Sequence, residues 1–306
     1  MKLPAEVIAE LTVRPGSVAG LGARSTSATT CDWLGPIGHR HLKEIAEHDL
    51  EQFRQELAEA QELLYASDTW ALLVLFQGLD AAGKDGTIKH LMSGVNPQGC
   101  VVHAFREPST EELRHDFLWR AAQVLPERGM IGLFNRSYYE EVLVVRVHPE
   151  LLGNERLPAE ALAPPSLWAD RFDDINAFEH HLVRNGTRIV KLFLHVSREE
   201  QRRRLLARLS DPAKQWKFAP SDLTEHAVFD DYQGAYEDML TATSTPWAPW
   251  YVVPADNKPA LRALVGGLVV DAVDRLDLRL PALDGGQRDA LEEARRTLEK
   301  EGTTEG

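Results

Sequence analysis

The chain has 306 residues and a formal net charge of −13, and 43% of its residues are hydrophobic. This composition suits one large α/β domain with appendages, and no apolar run approaches the ~20 residues of a membrane helix. The first 20 residues lack the basic start and apolar core of a signal peptide, and Cys31 and Cys100 form no CxxC motif. A cytoplasmic globular protein is therefore predicted, without a disulfide framework, a cysteine zinc site or a membrane partner. A nucleic-acid partner is not expected either, because an acidic surface repels polyanions unless cations are locally concentrated.

Residues 1–40 are predicted to be an irregular segment, because prolines and glycines interrupt any periodicity there. Apolar residues then recur at helical spacing over 41–65, which indicates an amphipathic helix packed on the core or on another subunit. A single domain is predicted over 41–280, followed by a polar, helix-prone tail over 281–306 whose last five residues are expected to be disordered.

A glycine-bearing loop follows the first predicted strand. The apolar run at 72–76 ends at Gly78, and Gly83 and Lys84 precede a predicted helix over 87–95. The spacing Gly-x4-Gly-Lys between a strand and a helix is typical of a phosphate-binding loop, whose backbone N–H groups form a concave anion site beside a lysine ammonium. The candidate phosphate-binding residues are Gly78, Ala82, Gly83, Lys84, Asp85 and Gly86. The alternative is a chance glycine-rich turn with a solvated lysine, which the order of strand, loop and helix disfavours.

The position after the lysine departs from the usual loop pattern. A serine or threonine there would offer a hydroxyl to Mg²⁺, whereas this chain has Asp85. The metal is therefore expected to be held differently, and Asp80, inside the loop, is the candidate ligand.

The rest of the chain alternates between predicted strands and helices. Strands are predicted at 100–105, 130–134, 189–196 and 250–253, and helices at 110–125, 139–147, 172–185, 198–210, 223–243 and 260–276. This alternation predicts an α/β fold with a mostly parallel five-stranded sheet covered on both faces. Ligands of such sheets bind at the carboxyl ends of the strands.

A dense polar sequence, NRSYYEE, follows the third predicted strand at 135–141. Phosphoryl transfer needs cations for the charge on the moving phosphoryl group and carboxylates for Mg²⁺. Arg136, directly after a buried strand and facing the loop, is the candidate cation, with a surface ion pair as the alternative. Glu140 is either a metal group or the first-turn acid of the next helix, and both roles remain open.

Five arginines crowd the predicted helix over 198–210. Positions 198, 202 and 205 share one face of this helix, and positions 201, 204 and 208 share the next. With the following loop, the segment 198–222 is predicted to form a lid over the phosphates, and the alternative is a solvated face neutralised by neighbouring glutamates. Its candidate polyanion-binding residues are Arg198, Arg202, Arg208 and Lys217.

The end of the second predicted strand lies on the acceptor side of the same crevice. Phe105 can stack on a base there, and Arg106, beside Glu107, can hold a phosphate. A core role for Phe105 and a surface role for Arg106 are equally open.

From about 43 to 277 the chain resembles the polyphosphate kinase 2 family. The resemblance rests on GLDAAGKDGTI at 78–88, FREPSTEEL at 105–113, FLWR at 117–120, FNRSYYEEVLVVRVHPE at 134–150, WKF at 216–218 and PWYVVPADNK at 249–258. In that family an aspartate follows the loop lysine, as Asp85 does here. The resemblance implies a P-loop kinase fold, a three-layer αβα sandwich with a helical lid. It also implies reversible, Mg²⁺-dependent phosphoryl transfer between inorganic polyphosphate and a nucleotide.

The resemblance also implies roles for individual residues. Asp80, Lys84 and Arg136 match catalytic positions, and Arg198 and Arg202 match lid arginines. Together with the preceding analysis of the residues, this gives the predicted nucleotide-binding residues Phe105, Arg106, Glu107, Asn135 and Arg136 and the predicted metal ligands Asp80 and Glu140. Asn135 stands where one branch of the family has aspartate, and this form resembles the branch that phosphorylates both AMP and ADP.

The expected partners are inorganic polyphosphate, adenine or guanine nucleotides, and further copies of the chain in a homo-oligomer. Two alternative functions stay open, an ATP-dependent nucleoside monophosphate kinase and a nucleotide-binding regulatory module without turnover. Arg136 and Asp80 beside an intact Lys84 argue against the module, because binding alone needs no transition-state cation.

Overall fold

The structure is a computed structural model that describes residues 2–28, 39–162 and 166–302, with the side chains of 39–41 and 301–302 excluded. Cys31, the end of the segment predicted to be irregular and most of the tail predicted to be disordered lie outside the described residues.

Five parallel strands form one sheet in the order β2-β3-β1-β4-β5. The strands are β1 (Ala71–Gln77), β2 (Cys100–Ala104), β3 (Ile131–Asn135), β4 (Thr187–His195) and β5 (Trp250–Pro254). All seven residues of the central strand β1 are buried. Its sequence is therefore a continuous apolar run rather than an alternating one, as expected for a strand covered on both faces. The predicted α/β fold with a parallel five-stranded sheet is confirmed.

Helices cover both faces of the sheet. In the described ranges they are α1 (Ala5–Leu11), α2 (His39–Ser67), α3 (Lys84–Leu91), α4 (Trp119–Ala122), α5 (Glu140–Val147), α6 (Leu167–Arg184), α7 (Arg198–Ser210), α8 (Ser221–Ala227), α9 (Phe229–Thr243), α10 (Lys258–Asp274) and α11 (Gly285–Gly302). One layer consists of α2, α3 and α10, and the other consists of α5, α6 and α9. None of these helices combines the length and apolarity of a membrane span.

The continuous helix predicted over 110–125 is wrong. Ser109 and Glu112 form the expected capping box, with hydrogen bonds of 2.7 and 3.2 Å. Only a 3-10 turn (Glu112–Arg114) follows before Asp116, whose carboxylate accepts a hydrogen bond from the Leu118 N–H at 3.0 Å. This local bond competes with helix formation, so α4 is a separate four-residue helix. The helix predicted over 223–243 is likewise two helices, α8 and α9.

Residues 2–28 are more regular than the predicted irregular segment. They contain α1, and Thr12 forms an antiparallel bridge to Tyr251 of β5. The N–H groups of Gly20 and Leu21 each donate to the carboxylate of Glu237 in α9 at 2.7 Å. Burial of Leu3, Val7, Leu11, Val13 and Leu21 against the core supplies the order that the local pattern lacks. The polar tail forms α11, which is exposed over residues 285–300.

Candidate active site

The loop between β1 and α3 has an unusual backbone conformation. Gly78, Ala81 and Gly83 have φ angles of +152°, +63° and +114°. A Cβ atom on Gly78 would lie 2.9 Å from the carbonyl oxygen of Leu194, so only glycine fits there. The loop therefore turns sharply at the carboxyl end of β1 and leads directly into the N-terminus of α3, as a phosphate-binding loop does.

Lys84 lies beneath this loop and is 7% exposed. Its Nζ donates to the carbonyl oxygens of Gly78 and Leu79 at 2.5 and 3.2 Å. Burial, with the nearby charge of Arg136, lowers the pKa of Lys84 to about 8, although Asp80 and Glu140 oppose this shift. The ammonium is therefore held by neutral oxygens, which the oxygens of a bound phosphate can replace.

Arg136 connects the ends of two neighbouring strands. Its Nη2 contacts Oδ1 of Asp80 at 2.5 Å, its Nη1 contacts Oε2 of Glu140 at 2.9 Å, and its backbone N–H donates to the carbonyl oxygen of Phe76 at 3.0 Å. The φ angle of Arg136 is +63°, a conformation that costs about 1–2 kcal/mol for a residue other than glycine. The two ion pairs hold the guanidinium beside the loop, and they raise its pKa, Glu140 most strongly.

Asp80 suits a metal ligand better than Glu140 does. Burial raises the pKa of Asp80, but the charges of Arg136 and Lys84 outweigh that effect, so the pKa is lowered and the partly exposed carboxylate is ionised. Glu140 is 13% exposed, pairs with Arg136, and lies next to the side-chain amide of Gln77. The described residues contain no group of three or more metal-ligating side chains. Asp80 therefore fits a Mg²⁺ site of the usual kind, in which the protein contributes a carboxylate and the other ligands are water and substrate phosphates.

Asp85, in the first turn of α3, joins the loop to two other elements. It accepts a hydrogen bond from Nδ2 of Asn135 at 2.7 Å, and Nζ of Lys217 lies 3.6 Å from its other oxygen. Burial raises the pKa of Asp85, but the Asn135 hydrogen bond and the Lys217 charge outweigh it and lower the pKa. Asn135 thus contacts the phosphate loop from the end of β3, and Lys217 contacts it from the predicted lid.

The other predicted lid cations pair with acids outside the loop, although the charge of Arg208 also lowers the pKa of Asp80 in the loop. Arg198 contacts Asp230 at 3.0 Å, Arg202 contacts Glu199 at 2.6 Å, and Arg208 contacts Asp222 at 2.8 Å. Of the four predicted polyphosphate-binding residues of the lid, Lys217 is the one with a contact to the loop in the described structure. Polyphosphate contacts from Arg198, Arg202 and Arg208 stay a prediction.

Three further buried residues lie beside the loop, and none of them was predicted from the sequence to have a role there. Gln201 donates to the carbonyl oxygen of Asp80 at 3.1 Å, and Arg204 donates to that of Ala82 at 2.8 Å. Both lie on the 201/204/208 face of α7, and the only signal in the sequence was that shared face. Tyr236 of α9 is also buried. Burial raises the pKa of its hydroxyl, and the nearby carboxylates of Glu140 and Asp80 raise it further.

Phe105 is a core residue, so the stacking role considered for it is wrong in this structure. Its side chain is 4% exposed and makes edge contacts with Phe134 and His103 at ring-centroid distances of 4.9 and 4.6 Å. Arg106 and Glu107 are exposed at the end of β2. Arg106 and Glu107 are therefore accessible to an acceptor, whereas the Phe105 ring is covered.

Comparison with known proteins agrees with this geometry. The family model described as "Polyphosphate kinase 2 (PPK2)" matches residues 41–280. The chain is 49% identical over 260 residues to an ADP-polyphosphate phosphotransferase of Rhodopseudomonas palustris, covering 84% of this chain and 90% of that protein. It is 42% identical over 239 residues to an AMP/ADP-polyphosphate phosphotransferase of Meiothermus ruber, covering 78% and 85%.

A solved structure gives the same result at the level of the fold. The crystal structure of Polyphosphate Kinase 2 from Arthrobacter aurescens superposes with a TM-score of 0.80 at 38% identity, and the match covers 92% of this chain and 95% of that one. The resemblance found in the sequence is confirmed.

Proposed function

This chain belongs to the polyphosphate kinase 2 family, and we propose that it transfers phosphoryl groups between inorganic polyphosphate and both AMP and ADP in a Mg²⁺-dependent reaction. The observation that carries the proposal is the placement of Arg136. It lies between Asp80 and Glu140, directly beside a phosphate loop whose Lys84 is bonded only to backbone oxygens in the described structure.

The roles of the residues follow from this placement. In the synthetic direction a P–O bond of the polyphosphate breaks, and a new one forms to a terminal phosphate oxygen of the nucleotide. The N–H groups of the loop and Lys84 bind donor phosphates, and Arg136 stabilises the charge on the phosphoryl group in transit. Asp80 would hold Mg²⁺, which when bound neutralises phosphate charge.

The environment of Asn135 supports use of both acceptors. Its amide donates to Asp85 at 2.7 Å, a contact in which an aspartate at position 135 would place two carboxylates side by side. Such a pair would have to recruit a cation or a proton, and so would change the charge that an incoming acceptor meets. The asparagine leaves the crevice without that charge, which is compatible with acceptors of two lengths. The relative from Meiothermus ruber carries both acceptors in its name.

Product analysis tests this proposal and separates the alternatives. The purified chain is incubated with Mg²⁺ and either AMP or ADP as the acceptor, with polyphosphate or ATP as the sole donor, and with Lys84→Ala as the inactive control. We expect polyphosphate to yield ADP and then ATP. Formation of ATP from ADP without consumption of AMP would contradict the use of both acceptors. Consumption of AMP with ATP as the donor, but not with polyphosphate, would indicate a nucleoside monophosphate kinase. A chain that binds nucleotide without turnover would be a regulatory module. The homo-oligomer stays a prediction.

A further inference from the structure

The inner face of α7, which carries Gln201 and Arg204, contacts three successive carbonyl groups of the phosphate loop. Gln201 Nε2 donates to the Asp80 oxygen at 3.1 Å, and Arg204 Nη1 donates to the Ala81 and Ala82 oxygens at 3.0 and 2.8 Å. Both side chains are buried, with 1% exposure for Gln201 and 7% for Arg204. The outer part of the loop backbone is thus hydrogen-bonded to one helix.

These bonds determine which way the loop N–H groups face. A trans peptide is planar, and its N–H points opposite to its C=O. Because α7 binds the carbonyl groups of Asp80 and Ala82, the next N–H groups, those of Ala81 and Gly83, point away from α7. The intervening Ala82 N–H closes a turn to the Leu79 oxygen at 3.1 Å. The positive φ angle of Ala81, which carries a Cβ atom, is a conformation that persists only where surrounding structure holds it.

Arg204 has no donor left for a substrate. Besides the two loop carbonyls, it donates to the backbone oxygens of Ala255 and Asp256 at 2.5 and 3.1 Å and to the Glu200 carboxylate at 2.6 Å. These five bonds use all five N–H groups of the guanidinium. Arg204 therefore connects the loop to the end of β5 and acts through the backbone rather than by touching phosphate.

A histidine fixes the orientation of Gln201. Nδ1 of His226, in α8, lies 2.6 Å from Oε1 of Gln201. With the histidine as donor, the amide oxygen of Gln201 is occupied, and its NH₂ group faces the Asp80 carbonyl. His226, Gln201 and the loop thus form one chain of hydrogen bonds that runs from α8 through α7.

We propose that Gln201 and Arg204 are positioning residues that hold the loop N–H groups ready for phosphate, and that His226 orients Gln201 for this role. The inference rests on the proposed function for the identity of the ligand, a chain of phosphates. It assigns the two faces of α7 different tasks, because the inner face sets the shape of the loop and the exposed Arg198 and Arg202 stay available to a substrate.

The test measures ligand binding separately from turnover. Affinity for inorganic tripolyphosphate is measured by calorimetry, and kcat and KM are measured with polyphosphate, for Gln201→Leu, His226→Phe, their double variant and Arg204→Met. The control is Arg203→Met, because Arg203 is the exposed neighbour of Arg204 and pairs with the same Glu200. We expect the dissociation constant for tripolyphosphate to rise about tenfold in Gln201→Leu and in His226→Phe, and less than twofold in the control.

The double variant gives the sharper readout. If His226 acts through Gln201, the double variant binds tripolyphosphate no worse than Gln201→Leu alone, and His226→Gln, which keeps a donor, recovers most of the loss. Wild-type affinity for tripolyphosphate in Gln201→Leu, or additive losses of affinity in the double variant, would overturn the proposal. This test does not depend on whether Arg204→Met folds. A wild-type chain that binds tripolyphosphate without turning over polyphosphate would contradict the proposed function and leave the positioning role intact.

Discussion

Two groups of charged and polar side chains lie next to the same sheet. They differ in how fully their members are hydrogen-bonded. The loop cluster consists of Asp80, Lys84, Arg136 and Glu140. The core cluster consists of Tyr138, Tyr139, Glu179 and Lys191. Lys191 is fully buried and donates to Glu179 at 2.6 Å, to the Tyr139 hydroxyl at 3.0 Å and to the Thr243 carbonyl at 2.6 Å.

Burial alone does not distinguish the two clusters. Burial lowers the pKa of Lys191 as it lowers that of Lys84. The ammonium of Lys191 has three protein acceptors, one of them a carboxylate, so its hydrogen bonds are complete. Lys84 has two carbonyl acceptors, and its neighbours Ala81 and Arg136 have strained backbones. Within the described residues, Lys84 keeps bonding capacity beside a strained loop, as the proposed phosphate site requires, whereas the satisfied network stabilises the fold.

The largest expected effect on activity belongs to Arg136. Arg136→Met should lower turnover with polyphosphate and ADP roughly 10³-fold, because it removes the cation that stabilises the phosphoryl group in transit. Steady-state kinetics measure this loss, and Arg275→Met, which removes a surface arginine paired with Asp271, is the control. Turnover within threefold of the wild type would remove Arg136 from the mechanism.

A change in the core cluster should affect stability rather than chemistry. Lys191→Met leaves the buried carboxylate of Glu179 without its cation, so we expect the free energy of unfolding to fall by about 3–5 kcal/mol. Urea denaturation measures this loss, and adding Glu179→Leu should recover much of it. The turnover of the folded fraction should stay near the wild-type value. A large loss of turnover in fully folded protein would show that the core cluster also serves the reaction.

Lys84 provides the matched lysine in the loop cluster. Lys84→Ala should lower turnover by ~10²-fold or more, because it removes a positioned positive charge beside the phosphates. Its denaturation midpoint should stay close to that of the wild type, because Lys84 forms no bond to a carboxylate in the described structure. A fall in stability as large as that of Lys191→Met, with turnover preserved, would reverse the roles of the two clusters.

The smallest expected effect is a pH dependence. The pKa of Lys84 is lowered to about 8, so in the free protein the ammonium that binds phosphate is lost as the pH rises through that value. The kcat/KM for polyphosphate should therefore fall about tenfold for each pH unit well above 8, and kcat should fall only at higher pH, because bound phosphate favours the charged lysine. Lys84→Arg, which stays charged, should show no such decline, and an identical decline in that variant would assign the titration to another group.

Local sequence was sufficient to find the centre of the site. Gly78, Gly83 and Lys84 follow one buried strand and Arg136 follows another, and adjacent strands in a parallel sheet end at the same edge. The side of α7 that faces the loop was not predictable, because arginines occur on both candidate faces and tertiary packing chooses between them. Gln201 and Arg204, for which no role was predicted, make the contacts to the loop, whereas the polyphosphate contact predicted for Arg202 stays a prediction. The sequence left two environments equally open for Phe105, and in the structure its side chain is buried in the core.

The docking of residues 2–28 has a consequence for how the chain folds during synthesis. Their partners come from the far end of the chain, since Glu237 binds the N–H groups of Gly20 and Leu21, and the Trp250 oxygen binds the Val13 N–H. At about 5–20 residues per second, the ribosome needs roughly 10–50 s to make those partners after residue 28 has been added. Through that interval the N–H groups of Val13, Gly20 and Leu21 lack these native partners. These contacts of the N-terminal segment can therefore form only after most of the domain has been made.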